Sequence, residues 1–314
     1  MNWKGGKGKL EDMVVVGLGQ ACVDYLGRIP RYPIEDAKVE LIDLRKECGG
    51  PASTALVTLA RLGVKASFLG SISDDPFGID ILNALRKEGV DTSFLRVRPG
   101  HTSQFAFIAI TSDSGNRTVF WHRGTVSHLG PEEIDLSPFP AARILHLDGL
   151  MVNASVEAAS QAKERGMRVV MDAGTFREGT GDLLPLVDVL IASEHFAEPL
   201  TGGPGSSEKD LELLRERGPA EVIITMGVRG SLGLGPGGLH YQKAFPVVPV
   251  DTTGAGDVYH GGYIYGLLQG WDMPTCMRFA SAIAAMNCRK IGARQGIPRS
   301  AEDVLEFTRS HLPL

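Results

Sequence analysis

One glycine-rich segment, Gly254-Ala255-Gly256-Asp257, combines residue types that suit phosphate chemistry. An apolar run ends at Asp251, and a long apolar helix is predicted to begin at Ala255, so the small residues lie at a helix start. The unpaired amides of a first helical turn point outward at the positive end of the helix dipole. Small side chains let a ligand approach those amides closely. The segment therefore predicts an anion site.

Asp257 follows the small residues directly and lies in the first turn of the predicted helix. An acidic side chain there stabilises a helix start by about 0.3–1 kcal/mol, which explains it without a catalytic role. Beside amides aimed at a phosphate, however, the carboxylate is also placed to accept a proton from an attacking hydroxyl. Phosphoryl transfer needs a cradle for developing negative charge together with a base on the nucleophile. The segment therefore predicts a phosphotransferase.

Short apolar runs alternate along the chain with helical patterns. The runs, which predict strands buried on both faces, are residues 13–17, 66–69, 143–147, 168–171, 187–191 and 221–225. The helical patterns cover residues 53–62, 79–88, 155–165, 209–217, 255–269 and 274–288. This alternation predicts an α/β fold with a mostly parallel sheet and helices on both of its faces.

Two segments interrupt the alternation, at about residues 38–45 and 98–123. Both favour strands joined by turns, and Asp113-Ser-Gly-Asn116 has the composition of a hairpin turn. They predict a small antiparallel sheet inserted into the α/β body. Residues 1–11, rich in glycine and lysine, predict a flexible tail, and residues 12–314 predict one domain.

The composition excludes several classes of protein. The 314 residues are 43% hydrophobic and 22% charged with a net charge of −5, and no long basic run would hold a nucleic-acid backbone. No apolar stretch approaches the roughly 18 residues that a membrane helix requires. The N-terminus has no hydrophobic signal core. The cysteines are far apart, which favours reduced thiols over disulfides or a zinc site. We therefore expect a cytoplasmic protein with no nucleic-acid or membrane partner.

The segment Asp251-Thr-Thr-Gly-Ala-Gly-Asp257 resembles the C-terminal signature of the PfkB/ribokinase family of sugar and nucleoside kinases. Residues 49–63, Gly-Gly-Pro-Ala-Ser-Thr-Ala-Leu-Val-Thr-Leu-Ala-Arg-Leu-Gly, are similar to its N-terminal signature. Residues 70–78, 225–230 and 279–298 match further family motifs in the same order. The resemblance extends over nearly the whole chain. It implies a ribokinase-like three-layer α/β sandwich in which the inserted strands form a lid over the sugar and a homodimer interface.

The resemblance also implies roles for individual residues. Asp257 corresponds to the base that deprotonates the acceptor hydroxyl, and the amides of Gly254, Ala255 and Gly256 correspond to the anion hole. The implied sugar-binding residues are Asp24, Gly49, Gly50 and Thr54, and the implied nucleotide-binding residues are Thr225, Gly227, Gly230 and Asn287. ATP is the implied phosphoryl donor, with Mg²⁺ bridging its phosphates mostly through water. Asp251 and Thr253 resemble positions that hold a monovalent cation such as K⁺.

The chain departs from the family pattern at two places. Thr54 stands where many members have asparagine, so this position has fewer hydrogen-bond donors. The Asn-x-x-Glu motif, which orders Mg²⁺-bound water, appears here as Ser193-Glu194-His195-Phe196. Phe196 cannot replace the glutamate of that motif, and Glu194 is the partial replacement that this segment offers.

Polar residues on the lid side are candidates for substrate specificity, because an arginine binds a phosphate, sulfonate or carboxylate through two hydrogen bonds. The candidates are His101, Gln104, Arg117, His122 and Arg123. Of these we select Gln104 and Arg123 as substrate-binding residues.

The strings Gly-Gly-Pro-Ala-Ser-Thr and Asp-Val-Tyr-His-Gly are similar to a family branch with ketohexokinase-like and sulfofructose-kinase-like members. That similarity implies ATP-dependent phosphorylation of a hydroxymethyl group on a ketose or related small sugar. A nucleoside kinase of the same family is an alternative. A non-catalytic sugar-binding regulatory protein is another, and the missing glutamate of Asn-x-x-Glu favours it. A nicotinamide dehydrogenase is disfavoured, because Cys22 stands where the motif beginning at Gly17 and Gly19 needs a third glycine.

Overall fold

The computed structural model describes residues 14–311 except residues 114 and 204, and the tail predicted at residues 1–11 lies outside this range. The strands are β1 (Val14–Leu18), β2 (Cys22–Ile29), β3 (Asp43–Gly49), β4 (Lys65–Leu69), β5 (Ser71–Ile72), β6 (Arg96–Val97), β7 (Phe105–Thr111), β8 (Arg117–His122), β9 (Ala142–Leu147), β10 (Arg168–Ala173), β11 (Val189–Ser193), β12 (Glu221–Thr225), β13 (Ser231–Gly235) and β14 (Gly238–Gln242). The helices are α1 (Pro51–Arg61), α2 (Pro76–Lys87), α3 (Val152–Glu164), α4 (Thr180–Leu183), α5 (Glu194–Thr201), α6 (Glu208–Arg215), α7 (Ala255–Leu268), α8 (Met273–Asn287) and α9 (Ala301–Ser310).

The main sheet has the strand order β14-β13-β12-β11-β10-β9-β1-β4. Strands β12 to β4 in this order run parallel, and β13 and β14 form an antiparallel edge. Successive side chains of a strand point to opposite faces. Val15 accordingly belongs to the apolar core on one face and Val16 to the core on the other, both fully buried. Burial on both faces confirms the predicted three-layer architecture.

The helices cover the two faces separately. Residues of α1, α2, α7, α8 and α9 contribute to the core that contains Val15, and residues of α3, α5 and α6 to the core that contains Val16. The six predicted strands and six predicted helices are present, with ends within three residues of the prediction. In the part of the chain that the structure describes, none of the helices has both the length and the apolar character needed to cross a bilayer.

The smaller sheet has the order β3-β2-β7-β8. Its β2–β3 and β7–β8 pairs are antiparallel, and β2 and β7 run parallel. The strand predicted at residues 38–45 begins only at Asp43, because its partner β2 ends at Ile29 and Pro30 has no amide to extend the ladder. Strand β2 was not predicted, because apolar and polar residues do not alternate regularly along it. We call this sheet the lid sheet.

Candidate active site

The carboxyl ends of the parallel strands collect acidic side chains at one edge of the main sheet. Asp148 follows β9 directly, and Asp172 lies near the end of the neighbouring strand β10. Both residues are buried. In open α/β sheets, ligands bind outside the carboxyl ends of the strands. This edge, with the first turn of α7 beside it, is therefore the candidate active site.

The turn that leads into α7 is fixed by the buried carboxylate of Asp251. Its Oδ1 accepts hydrogen bonds from the Thr253 amide at 2.9 Å and the Thr253 hydroxyl at 2.7 Å, and its Oδ2 accepts one from the Gly292 amide at 2.8 Å. Gly254 then takes a left-handed conformation with φ +73°. A Cβ at Gly254 would lie 2.7 Å from the Cβ of Ala293, so only glycine fits this turn.

Asp257 lies at the third position of α7 and is half-buried. Burial and the neighbouring carboxyl of Asp172 raise the pKa of Asp257 to about 7, whereas His260 and Arg117 act in the opposite direction. The pKa of a general base is most useful near the working pH. The carboxyl of Asp257 is thus electrostatically suited to exchange a proton near neutrality.

We expect the activity to depend on the ionisation of Asp257. Below pH 7 this carboxyl is protonated and cannot accept a proton, so kcat/KM should fall about tenfold per pH unit on the acid side. The acid limb should have its midpoint near the pKa of about 7 given above. A pH profile measured from pH 5 to 9 tests this, and a midpoint near 4, the ordinary value for an aspartate, would contradict it.

Asp148 and Asp172 are site residues that the sequence analysis missed. Asp148 accepts hydrogen bonds from the amides of Gln20 at 2.6 Å and Leu150 at 3.1 Å. Burial raises the pKa of Asp148 to about 6, and burial together with Asp148 raises that of Asp172 to about 8. The available signal was a polar residue at the end of each apolar run, but sequence alone does not show which strand ends are neighbours.

The residues implied for sugar binding are brought together around Asp24. This side chain is buried on β2, and the Cys22 thiol donates a hydrogen bond of 3.1 Å to its Oδ1. A Cβ at Gly49 would lie only 2.0 Å from Oδ2 of Asp24, so the glycine makes room for the carboxylate. Burial raises the pKa of Asp24. The charge of Asp24 also contributes to raising the pKa of Asp257.

Thr54 contacts a residue that the sequence analysis did not identify. Thr54 is fully buried in α1, and its hydroxyl accepts a hydrogen bond of 3.2 Å from Nε of Arg294. Arg294 is buried as well, and its Nη2 donates to the Gly49 carbonyl at 3.2 Å and to the Ser53 hydroxyl at 2.7 Å. The guanidinium therefore ties the residues 292–297 loop to the start of α1.

The lid-side candidates differ in their environments. Gln104 is buried, and its Oε1 has no hydrogen-bond partner within the described chain. Arg123 is exposed and lies over the ring of Trp121 at 5.2 Å. Arg117 on β8 donates a hydrogen bond of 2.7 Å to the Thr252 hydroxyl, so it joins the lid sheet to the turn before α7. The structure thus brings Arg117 to the anion-site turn and leaves Arg123 at the surface.

The residues implied for nucleotide binding fall into two groups. Thr225 ends β12, and Gly227 and Gly230 shape the turn into β13, where the side chain of Val228 is 93% exposed. Asn287 is fully buried instead. Its Nδ2 donates to the carbonyls of Thr253 and Ala293, and its Oδ1 accepts from the Gly296 amide. The structure thus gives Asn287 intramolecular hydrogen bonds that hold the turn before α7 against residues 292–297.

The Ser193–Phe196 segment begins helix α5. Ser193 caps the helix by accepting a hydrogen bond of 3.2 Å from the Phe196 amide, and the Phe196 side chain is fully buried in the core. Glu194 forms an ion pair with Arg229, in the turn between β12 and β13. Neither the apolar ring of Phe196 nor the paired carboxylate of Glu194 fits the ordering of Mg²⁺-bound water.

Comparisons with known proteins bear on the family and the fold of the chain. Residues 12–300 match the profile of the pfkB family of carbohydrate kinases. The chain is 30% identical over 300 residues to the ribokinase of Haemophilus influenzae, which covers 92% of this chain and 96% of that protein. It is 29% identical to the 5-dehydro-2-deoxygluconokinase of Shouchella clausii, with 92% and 93% covered. The fold is similar to that of Arabidopsis thaliana ribokinase complexed with ribose and ATP, with a TM-score of 0.81, 24% identity, and 94% and 98% covered.

Proposed function

Because the chain belongs to the pfkB family of carbohydrate kinases, we propose that it uses ATP to phosphorylate a hydroxymethyl group of a ketose or related small sugar. The observation that carries the proposal is the position of Asp257. Its carboxyl has a pKa of about 7 and lies in the first turn of α7, directly after the small residues Gly254, Ala255 and Gly256. A proton acceptor and a phosphate-binding helix start thus share one turn.

In this mechanism, ionised Asp257 accepts the proton of the sugar hydroxyl as its oxygen attacks the γ-phosphorus of ATP. The bond from the γ-phosphorus to the β–γ bridging oxygen breaks in line, and ADP leaves. The amides at the start of α7 stabilise the negative charge on the transferred phosphoryl group. Arg117, which reaches this turn from the lid sheet, adds a positive charge next to the same oxygens.

Two acceptors support sugar binding. The buried carboxylate of Asp24 suits a pair of sugar hydroxyls, because an ionised carboxylate only accepts hydrogen bonds. The buried Oε1 of Gln104 has no partner within the described chain, and such an atom costs free energy unless a donor meets it. We propose that hydroxyls of the sugar supply these donors, with Gly49 and Gly50 lining the same pocket and Arg123 at its outer margin.

The nucleotide is proposed to lie over Thr225, Gly227 and Gly230, where the exposed Val228 offers an apolar surface for the base. Asn287 would support this site indirectly, through its buried hydrogen bonds to Thr253, Ala293 and Gly296. Mg²⁺ is proposed to enter with ATP and to be held mainly by its phosphates and water. We derive no step through Glu194, since its carboxylate is paired with Arg229.

Asp251 and Thr253 fit a monovalent cation better than the α5 segment fits Mg²⁺. The carboxylate of Asp251 is fully buried, and within the described residues it forms no ion pair with a cationic side chain. A buried carboxylate needs a counter-charge. A K⁺ ion held there would supply that charge next to the turn that positions the anion-hole amides.

The reaction is tested by ADP release from the purified protein with ATP and Mg²⁺. The panel contains ketoses, pentoses, sugar acids, sulfosugars and nucleosides. Turnover on ketoses alone supports the proposed substrate class, while turnover on sugar acids or nucleosides alone reassigns it. If the protein binds ATP and a sugar but releases no ADP with any member of the panel, the result would instead favour the non-catalytic regulatory protein.

We also propose that the lid sheet pairs with a second copy of the chain. All six residues of β8 are exposed, and Val119, Phe120 and Trp121 each expose 44–51% of their surface. An apolar strip of this kind is typical of a protein interface. A double substitution of Phe120 and Trp121 by glutamate should convert a dimer into a monomer in sedimentation analysis. Leu239→Glu, at an equally exposed apolar position on β14, is the control that should leave the mass unchanged. A monomeric wild type would contradict the proposal.

A further inference from the structure

His260 lies one helical turn after Asp257, on the buried side of α7, and the proposed mechanism does not use it. The residue is 96% buried. Its Nδ1 lies 2.7 Å from the carbonyl oxygen of Gly256, and its Nε2 lies 3.3 Å from the carbonyl oxygen of Ile191 on β11. Both ring nitrogens therefore face hydrogen-bond acceptors.

A neutral imidazole has one donor and one acceptor nitrogen. Whichever tautomer it adopts, one lone pair would point at a carbonyl oxygen. The doubly protonated ring is the form that donates to both carbonyls. A buried charge of this kind needs a partner, and Oδ2 of Asp172 lies 3.5 Å from Nδ1.

Burial affects the protonation of both His260 and Asp172. On balance burial lowers the pKa of His260, although its two carbonyl contacts and Asp257 act in the opposite direction. Burial raises the pKa of Asp172 to about 8. Because the pKa of Asp172 lies above 7, a neutral imidazole and the Asp172 carboxylate together bind one further proton near neutrality. The two carbonyl contacts of the ring nitrogens favour the ring as the location of this proton.

The other groups that face the ring do not supply a competing charge. His146 on β9 lies 5.9 Å from it between ring centroids, and burial lowers the pKa of His146 to about 3, so this ring is neutral. Tyr259 packs edge-on at 6.5 Å, and burial raises its pKa, so its hydroxyl stays protonated. Asp257 and Asp172 are the ionisable carboxyls beside the imidazole.

We propose that His260, with Asp172 as its counter-charge, is a positioning residue for phosphoryl transfer. By donating to the Gly256 carbonyl it holds the Gly256–Asp257 peptide, which carries both an anion-hole amide and the base. Its positive charge also stabilises the ionised form of Asp257. This inference rests on the proposed role of Asp257 as the base.

Two substitutions separate these effects. In His260→Asn, the amide nitrogen takes the place of Nδ1 and still donates to the Gly256 carbonyl, but the positive charge is lost. In His260→Leu both are lost. We expect His260→Leu to lower kcat roughly 10- to 100-fold through misplacement of the peptide, and His260→Asn to retain more of it. In both variants the acid limb of kcat/KM should move up by about one pH unit, because Asp257 loses a stabilising charge.

The double variant His260→Asn with Asp172→Asn gives the decisive comparison. Asp172 raises the pKa of Asp257, so removing its charge should move the acid limb back toward that of the wild type. If the role of His260 is purely structural, the double variant should lose further activity, and its acid limb should not move back toward that of the wild type. An unchanged limb in His260→Asn, or no return in the double variant, would overturn the inference. Unchanged affinity for ATP, measured by calorimetry, shows that the variants are folded.

A second measurement does not require a known substrate. The ¹⁵N chemical shifts of the His260 ring, assigned by their absence in His260→Asn, should show protons on both nitrogens at pH 7. A neutral tautomer would overturn the proposed charge. If Asp257→Asn retains activity, the proposed function fails. If Asp257 is essential but the His260 results are negative, only this inference fails.

Discussion

Asp257→Asn is expected to lower kcat by about 10²- to 10⁴-fold, which is the usual contribution of a general base. Asparagine preserves the size of the side chain but cannot accept the proton of the attacking hydroxyl. The affinities for ATP and sugar should change little, because the anion-hole amides and Asp24 remain. The measurement is steady-state kinetics on the substrate found in the panel, with calorimetric titration of both ligands.

Asp303→Asn is the matched control for this substitution. Asp303 is the third residue of α9, as Asp257 is the third residue of α7, and Asp303 is exposed. Both changes remove the favourable interaction of a carboxylate with a helix dipole, about 0.3–1 kcal/mol. Only the change at Asp257 should affect kcat. Retention of most activity in Asp257→Asn would remove this residue from the role of base.

Gly254→Ala is expected to lower kcat by about 10²- to 10³-fold, as the loss of an oxyanion-hole donor does in other enzymes. The left-handed φ of +73° is unfavourable for alanine, and the new Cβ would lie 2.7 Å from the Cβ of Ala293. The turn must shift to relieve this contact, and the amides of α7 would move with it. Kinetics and thermal unfolding of the same preparation measure the two consequences.

The control for backbone strain is Gly270→Ala, just beyond the other end of α7. Gly270 has nearly the same φ, +72°, but a Cβ there would meet nothing within 4 Å. In Gly270→Ala the free energy of unfolding should fall by roughly 1 kcal/mol because alanine disfavours the left-handed conformation, and kcat should be unchanged. A comparable loss of kcat in both variants would show that strain at any point of α7, and not the anion-hole turn, limits catalysis.

Local patterns in the sequence were sufficient for much of the fold. Buried parallel strands require continuous apolar runs, and helices between them require the period of 3.6, so twelve elements could be located from residue types alone. Strand β2 was missed, because its Asp24 and Gly27 interrupt the alternation and its position depends on pairing with β7, about 80 residues later. Helices α5 and α9 also went unpredicted, and both are short and start at serine caps.

The candidate site likewise has one part that local sequence predicts and another that depends on the tertiary structure. The turn from Asp251 to Asp257 could be predicted from residue types, because small residues and a carboxylate at a helix start carry their chemistry locally. Gly49 and Gly50 were site candidates only through the resemblance to the family. The partners of Asp257, in contrast, depend on how distant parts of the chain fold together. The order of the parallel strands places the ends of β9 and β10 side by side, and Asp172 is thereby brought next to Asp257 and His260.

Tertiary structure also gives contacts that the resemblance did not indicate. Thr54 contacts Arg294, 240 residues away, and Asn287 holds the turn before α7 instead of facing the cleft. Burial itself decides the pKa of each acidic group, since a carboxyl that loses water binds its proton more tightly. Residue types and spacing therefore predict which chemistry to expect. Which groups lie together at the candidate site depends on distant strand ends meeting in the folded chain, because the order of the strands is not encoded locally.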